Sequence, residues 1–244
     1  MTPEETSSET AIGIGAFGAR WMLSKRTFAV GEALRYGPFE QYFCARGGVL
    51  GPAPASVVHA AFGFFEEALV RSQWNAGTAK GPLEPLLVSY ERCCADAARH
   101  FGTDLDWSRL GELAERVVRA GSPAGNPLFA GWRDRALDTD PSDAPRRGGL
   151  LLNALREFRG GSHLMALRAG GVDLVHAVLI SGGEANAALF GIHPPYPEFE
   201  ASRQGWEAAE TATNRMVAAA FSALNESELE EFSELVEQFH AAFR

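Results

Sequence analysis

The sequence contains only three cysteines, Cys44, Cys93 and Cys94, among 244 residues. On a helix, the neighbouring Cys93 and Cys94 side chains would point about 100° apart, a poor geometry for a disulfide or a metal clamp. No apolar run approaches the roughly 20 residues that a membrane span requires, and no signal-peptide pattern opens the chain. We therefore expect a reduced, cytoplasmic protein that does not associate with membranes.

Basic residues are also fewer than acidic residues. The 22 Lys and Arg residues face 31 Asp and Glu residues, which gives a net charge of −9. Because an acidic surface repels phosphate backbones, DNA is not expected as a partner. The sequence has no HExxH or CxxC motif and no glycine-rich phosphate loop, so neither a metal nor a cofactor is expected.

Apolar residues recur at helical spacing along most of the chain, which predicts an all-α fold. Residues 1–15 are acidic and rich in Ser and Thr, so we predict a flexible N-terminal arm over 1–19. A single α-helical domain over 20–244 should follow. Its two sub-halves, 20–121 and 146–244, would be joined by a Pro/Gly-rich connection. A long helix is predicted over 55–74, and a capping box at Ser227 and Glu230 should open an acidic C-terminal helix.

The stretch 150–169 is the one place where several ionisable residues interrupt an apolar helical pattern. On a continuous helix, Arg156, Arg159 and His163 fall at i, i+3 and i+7 and share one face. Such a face can hold a carboxylate or phosphate in the forked geometry of arginine. Two alternatives remain open. In the first, the arginines pair only with acidic residues; in the second, Gly160 and Gly161 end the helix and remove the shared face.

An aromatic segment supplies further candidates for the same site. Tyr42 and Arg46 are four residues apart on a predicted helix and could face a common cavity, with Phe39 and Phe62 excluding water. His59 lies beside the apolar stripe of the next helix. Each of these residues alone is also typical of an ordinary core or surface position.

Three segments, 42–65, 124–132 and 155–167, resemble an actinomycete family described as helix-turn-helix, MarR-like winged-helix proteins. The resemblance runs from about residue 34 to the C-terminus. The family's Tyr-Phe-x-x-Arg…Leu-Gly and Leu-Arg-Glu-His-Arg-Gly-Asp-Gly-His patterns correspond here to residues 42–51 and 155–163. The histidine that follows the glutamate in the family's second pattern is Phe158 here. The resemblance implies a multi-helix bundle derived from a winged helix. Its wing should be reduced or absent, because 193–206 is too short to build one.

These observations predict a cofactor-independent acid/base enzyme of secondary metabolism, an isomerase, cyclase or hydrolase acting on an anionic or carbonyl substrate. Either a histidine of near-neutral pKa or a carboxyl group whose pKa is raised by burial would suit it. We assign catalysis to Glu157, His163 and Tyr42, and substrate binding to Arg46, Arg156, Arg159, His59, Phe62 and Phe39. The alternative is a MarR-like regulator or sequestering protein in which the same pocket only binds a small molecule. The C-terminal helices are candidates for a homodimer interface.

Overall fold

The computed structural model describes all 244 residues; 76% of them are helical and none lies in a β-strand. The all-α prediction is confirmed, and no hairpin forms a wing. None of the helices has the length and apolar character that crossing a membrane requires. The helices are α1 (Pro3–Met22), α2 (Lys25–Ala33), α3 (Pro38–Gly47), α4 (Ala55–Phe62), α5 (Glu67–Thr78), α6 (Glu84–Phe101), α7 (Trp107–Ala120), α8 (Pro127–Leu137), α9 (Ala144–Ala169), α10 (Leu174–Leu189), α11 (Arg203–Phe221) and α12 (Glu226–Ala241).

Helix α9 is the centre of the bundle. It has 26 residues and follows the N-cap residue Asp143, whose side chain accepts a hydrogen bond from the backbone N–H of Arg146. Leu150, Leu151 and Leu152 are all buried, because α1, α6, α7, α8 and α11 pack around this helix. A helix that is covered by neighbouring helices on nearly every side is typical of the core of a large domain. The core cluster around it contains 47 residues and draws on both predicted sub-halves.

Gly160 and Gly161 do not end α9. The side chain of Asn126, the N-cap residue of α8, lies where a Cβ of Gly161 would stand. From there its Nδ2 donates hydrogen bonds of 3.0 Å to the backbone carbonyls of Glu157 and Phe158. The missing side chain therefore lets two helices approach closely. The helix continues through the glycines, and the shared face predicted for Arg156, Arg159 and His163 exists.

The N-terminal arm is a correction to the sequence-based prediction, because residues 3–22 form α1. Its capping box joins Thr2 and Glu5, and its residues Phe17 and Trp21 are buried. The Ser/Thr-rich composition suggested exposure, yet Thr10 is buried, and its hydroxyl is satisfied by donating to the carbonyl of Thr6 at 2.8 Å. Small polar side chains that bond to their own helix can thus line a helix interface.

Two other helix boundaries differ from prediction. The helix expected over 55–74 is broken after Phe62, where Gly63 has φ +68°, a conformation that favours glycine. The turn between α4 and α5 directs Phe65 into the core. The acidic C-terminal helix is capped by Asn225 with Glu228, two residues before the predicted box.

We expect opposite stability changes from alanine at the two adjacent glycines of α9. Gly161→Ala places a Cβ on the Asn126 amide and should destabilise the fold by about 1–3 kcal/mol through overpacking. Gly160 has open space around its Cβ position, so Gly160→Ala should stabilise the helix by about 1 kcal/mol. Urea unfolding of the three proteins measures both changes, and equal shifts would contradict the packing described for Asn126.

Candidate functional site

Seven of the nine residues assigned to the site from the sequence line one cavity of about 320 Å³. We call it the polar cavity. It lies between α1, α3, α9 and α11, and the turn after α4 closes one side. The seven residues are Tyr42, Arg46, Phe62, Arg156, Glu157, Arg159 and His163.

A buried ion pair forms the inner wall of the polar cavity. Nε and Nη2 of Arg46 each donate to one carboxylate oxygen of Glu157, both at 2.8 Å. The side chains are 10% and 1% exposed. Burial alone would raise the pKa of Glu157, but Arg46 and Arg156 lower it below its ordinary value. Glu157 is therefore held as a carboxylate, and the raised pKa that would suit a buried proton donor is not found.

Arg156 and Tyr42 present unused donors to the cavity. Arg156 bonds to a protein group through one contact, from Nη1 to Oε1 of Glu157 at 2.8 Å, although a guanidinium carries five N–H groups. The hydroxyl of Tyr42 accepts a hydrogen bond from Nη1 of Arg46 at 2.9 Å. Its own proton has no protein acceptor and is available to a ligand. The two side chains together can bind a carboxylate or a carbonyl oxygen.

His163 and Arg159 form the second polar group of the cavity. Nη2 of Arg159 donates to Glu210 at 2.6 Å. The Thr213 hydroxyl donates its proton to the carbonyl of Ala209 at 2.7 Å, so it must accept from Nδ1 of His163, 3.1 Å away. Nε2 of the neutral ring is then the free basic nitrogen, 3.5 Å from Oε1 of Glu210.

The charges around the cavity do not cancel. Arg46, Arg156 and Arg159 face two carboxylates, Glu157 and Glu210. Burial lowers the pKa of His163 from its ordinary 6.5; Glu210 opposes this shift and Arg159 adds to it. With a neutral imidazole, one positive charge in the cavity is unmatched, although the whole chain carries −9. This balance suits a ligand with a single negative charge.

The two remaining predicted residues lie elsewhere. His59 lines a separate groove, and its Nε2 donates to the carbonyl of Phe65 at 3.1 Å, because a carbonyl oxygen can only accept. Phe39 is 37% exposed and lines a neighbouring apolar cavity. Neither residue contacts the polar cavity. No group of three or more His, Cys, Asp or Glu side chains is placed to hold a metal ion.

The sequence-based assignment missed Glu210, Thr213 and Asn126. Glu210 and Thr213 lie on α11, where the sequence shows an ordinary amphipathic pattern that gives no reason to select them. Asn126 carried a better signal, because it lies in one of the three segments on which the family resemblance rests and precedes a proline, as an N-cap residue often does.

We expect Glu157→Gln to destabilise the protein by about 3–5 kcal/mol, because it leaves the Arg46 guanidinium buried without its counter-ion. The matched control is Glu67→Gln, which removes an exposed i,i+4 pair with Arg71 and should change stability by about 0.5 kcal/mol or less. The double variant Arg46→Met/Glu157→Leu should recover much of the loss. Equal effects of the two Glu→Gln changes in urea unfolding would refute a structural role for the buried pair.

His163 should make the protein less stable in mild acid. Its folded-state pKa is lowered from 6.5, so below that pH the unfolded chain binds a proton that the folded protein does not. Stability therefore falls as the pH drops through this window. Melting curves between about pH 7.5 and about pH 5.5 should show a smaller loss for His163→Gln than for the wild type. Parallel profiles would remove the imidazole as the source of acid sensitivity.

Comparison with models of known protein families identifies the family of this chain. A family model described as "Helix-turn-helix family" matches residues 16–207. The match begins at residue 16, before the start of the resemblance seen in the sequence at about residue 34, and ends at residue 207. It includes the C-terminal part of α1 and the whole of α3 and α9. No curated protein and no solved structure matches the chain. Since the matched region covers most of the 244 residues, the chain belongs to this helix-turn-helix family.

Proposed function

We propose that the polar cavity binds a small anionic or carbonyl compound and that the protein is a cofactor-independent acid/base enzyme of the isomerase, cyclase or hydrolase type. One observation carries the proposal. Side chains from α3, α9 and α11 converge on one cavity that combines an unmatched positive charge, two groups with unused hydrogen-bond donors and a neutral imidazole. Cavities with a few convergent polar groups and perturbed pKa values are typical of active sites.

Arg156 and Tyr42 would bind the anionic or carbonyl oxygen of the substrate. Both have donors that no protein group uses, and both are kept in place by the buried pair of Arg46 and Glu157. The buried pair is therefore a positioning element and not the proton carrier. Its fixed geometry would hold the substrate without further ordering of the side chains, which is how preorganised sites lower activation barriers.

His163 would move the proton. Its Nε2 is the free base of the ring, and Thr213 fixes the ring orientation through Nδ1. A proton taken up at Nε2 would be stabilised by Glu210, 3.5 Å away, which Arg159 holds in position. Positioned acid/base groups of this kind contribute typically about 10²- to 10⁴-fold in rate.

The second candidate is a MarR-like ligand-responsive regulator or a sequestering protein in which the same cavity only binds; many helix-turn-helix proteins bind DNA. Several exposed arginines are paired with acidic neighbours, which leaves them poorly suited to DNA phosphates; these pairs include Arg26–Asp96, Arg99–Asp143 and Arg203–Glu200. The apolar face of α12 packs against α1 and α7 within the chain. A homodimer through the C-terminal helices would have to use the acidic outer face of α12.

We expect variants of the cavity to separate binding from turnover. Native mass spectrometry of protein purified without denaturation should reveal a retained small acid, and calorimetry with benzoate against neutral benzamide tests anion preference.

Arg156→Met should weaken benzoate binding about 10- to 100-fold, as loss of a charged hydrogen bond does. His163→Gln should bind benzoate nearly as wild type does but convert the retained compound about 100-fold more slowly.

Arg168→Met is the matched control, because Arg168 is an exposed arginine on the same helix that does not line the polar cavity. It should bind benzoate as the wild type does. If Arg156→Met and Arg168→Met behave alike, the cavity does not bind anions and the proposal fails. Binding without any turnover, together with a band shift of duplex DNA at physiological salt, would support the regulator instead.

A further inference from the structure

A second cavity, of about 390 Å³, adjoins the polar cavity. We call it the apolar cavity. Its walls are almost entirely hydrophobic and include Met22 and Phe28, and its only charged residue is Arg156. Each of the two cavities lies within the range of about 300–1,000 Å³ that is typical of small-molecule sites.

The two cavities are separated by side chains that belong to both. Tyr42, Phe65, Arg156 and Phe190 each line the polar and the apolar cavity. The guanidinium of Arg156 reaches this wall by crossing Gly18 of α1, where any Cβ would overlap its Cδ and Nε atoms. The two groups with unused hydrogen-bond donors, Arg156 and Tyr42, therefore stand at the boundary between polar and apolar surroundings.

The rim of the apolar cavity leaves large hydrophobic side chains in solvent. Seven large hydrophobic residues of the chain are exposed, and three of them, Leu23, Phe39 and Leu189, line this one cavity. A cluster of exposed hydrophobic side chains often indicates a binding site, whereas single exposed hydrophobic residues are common on protein surfaces. The apolar cavity is thus open at Leu23, Phe39 and Leu189 and ends inside at a guanidinium.

We propose that the two cavities take one ligand, an amphipathic monoanion whose charged head lies between Arg156 and Tyr42 and whose alkyl or aryl portion fills the apolar cavity. This inference rests on the proposed function, because it requires the polar cavity to bind an anion. The single unmatched positive charge selects one negative charge, and the hydrophobic walls select an apolar body. Burying that body removes both ligand and rim side chains from water.

The experiment is calorimetry with straight-chain carboxylates from butyrate to decanoate, all below their micelle concentrations. Affinity should rise about fourfold for each added methylene, the ratio given by the transfer free energy of a buried CH₂, until the apolar cavity is full. Decylamine, which has the same tail and the opposite charge, should bind at least about tenfold more weakly than decanoate, because it places a cation against Arg156.

A variant that fills the apolar cavity isolates the role of the tail. Ala19 is exposed on α1 and lines this cavity, so Ala19→Phe adds a ring there without disturbing the core. Decanoate affinity should fall about tenfold or more, since the space for its chain is occupied, while butyrate should bind nearly as before and benzoate, whose ring enters the same cavity, should lose less affinity than decanoate. Ala208→Phe, at an exposed alanine of α11 that lines neither cavity, should leave all three affinities unchanged.

The outcomes separate this inference from the function on which it rests. If butyrate and benzoate bind, but neither chain length nor Ala19→Phe alters affinity, the amphipathic ligand is refuted and the anion site stands. If no carboxylate binds at any length and Arg156→Met changes nothing, both proposals fail. A length dependence that survives Ala19→Phe would place the tail elsewhere and also overturn the assignment of the apolar cavity.

Discussion

The bidentate pair between Arg46 and Glu157 is the interaction on which the site depends. It joins α3 to α9 across 111 residues of sequence, with both groups buried. The Arg46 guanidinium also lies 4.5 Å from the ring centre of Phe62. The backbone carbonyl of Arg46 accepts a hydrogen bond from Nε1 of Trp132 on α8. Removing two charges from water is expensive, and an apolar pair of similar volume would often be as stable. The pair is better explained by the geometry that it imposes on its neighbours.

That geometry follows from the helix on which Glu157 lies. Once Glu157 is turned inward to Arg46, the adjacent Arg156 must point about 100° away, towards α1. There the absence of a side chain at Gly18 lets the guanidinium reach the wall between the two cavities. Arg159 and His163 follow on the same helix face and meet Glu210 and Thr213 of α11. The helix that forms the core of the bundle therefore also carries most of the site.

Membership of a helix-turn-helix family describes the fold of this chain, and a fold does not by itself imply a function. The proposed function rests instead on two cavities. A positively charged cavity lies within an acidic chain, and an open apolar cavity adjoins it. Both cavities support the proposal of a small-molecule site, whereas reading the grooves of DNA requires exposed positive charge.

The sequence by itself determined the helical class and the polar face of α9, because both depend on local periodicity. It also identified Tyr42 and Arg46, whose spacing of four residues places them on one side of a single helix. The continuity of α9 through Gly160 and Gly161 was decided by tertiary structure, since the Asn126 side chain occupies the space beside Gly161. Tertiary structure also decided that residues 3–22 form the buried helix α1. Their small polar side chains suggest exposure, but neighbouring helices cover them. The partners of Arg159 and His163 lie 50 or more residues away on α11, and contacts at that separation leave no periodic trace in a single sequence.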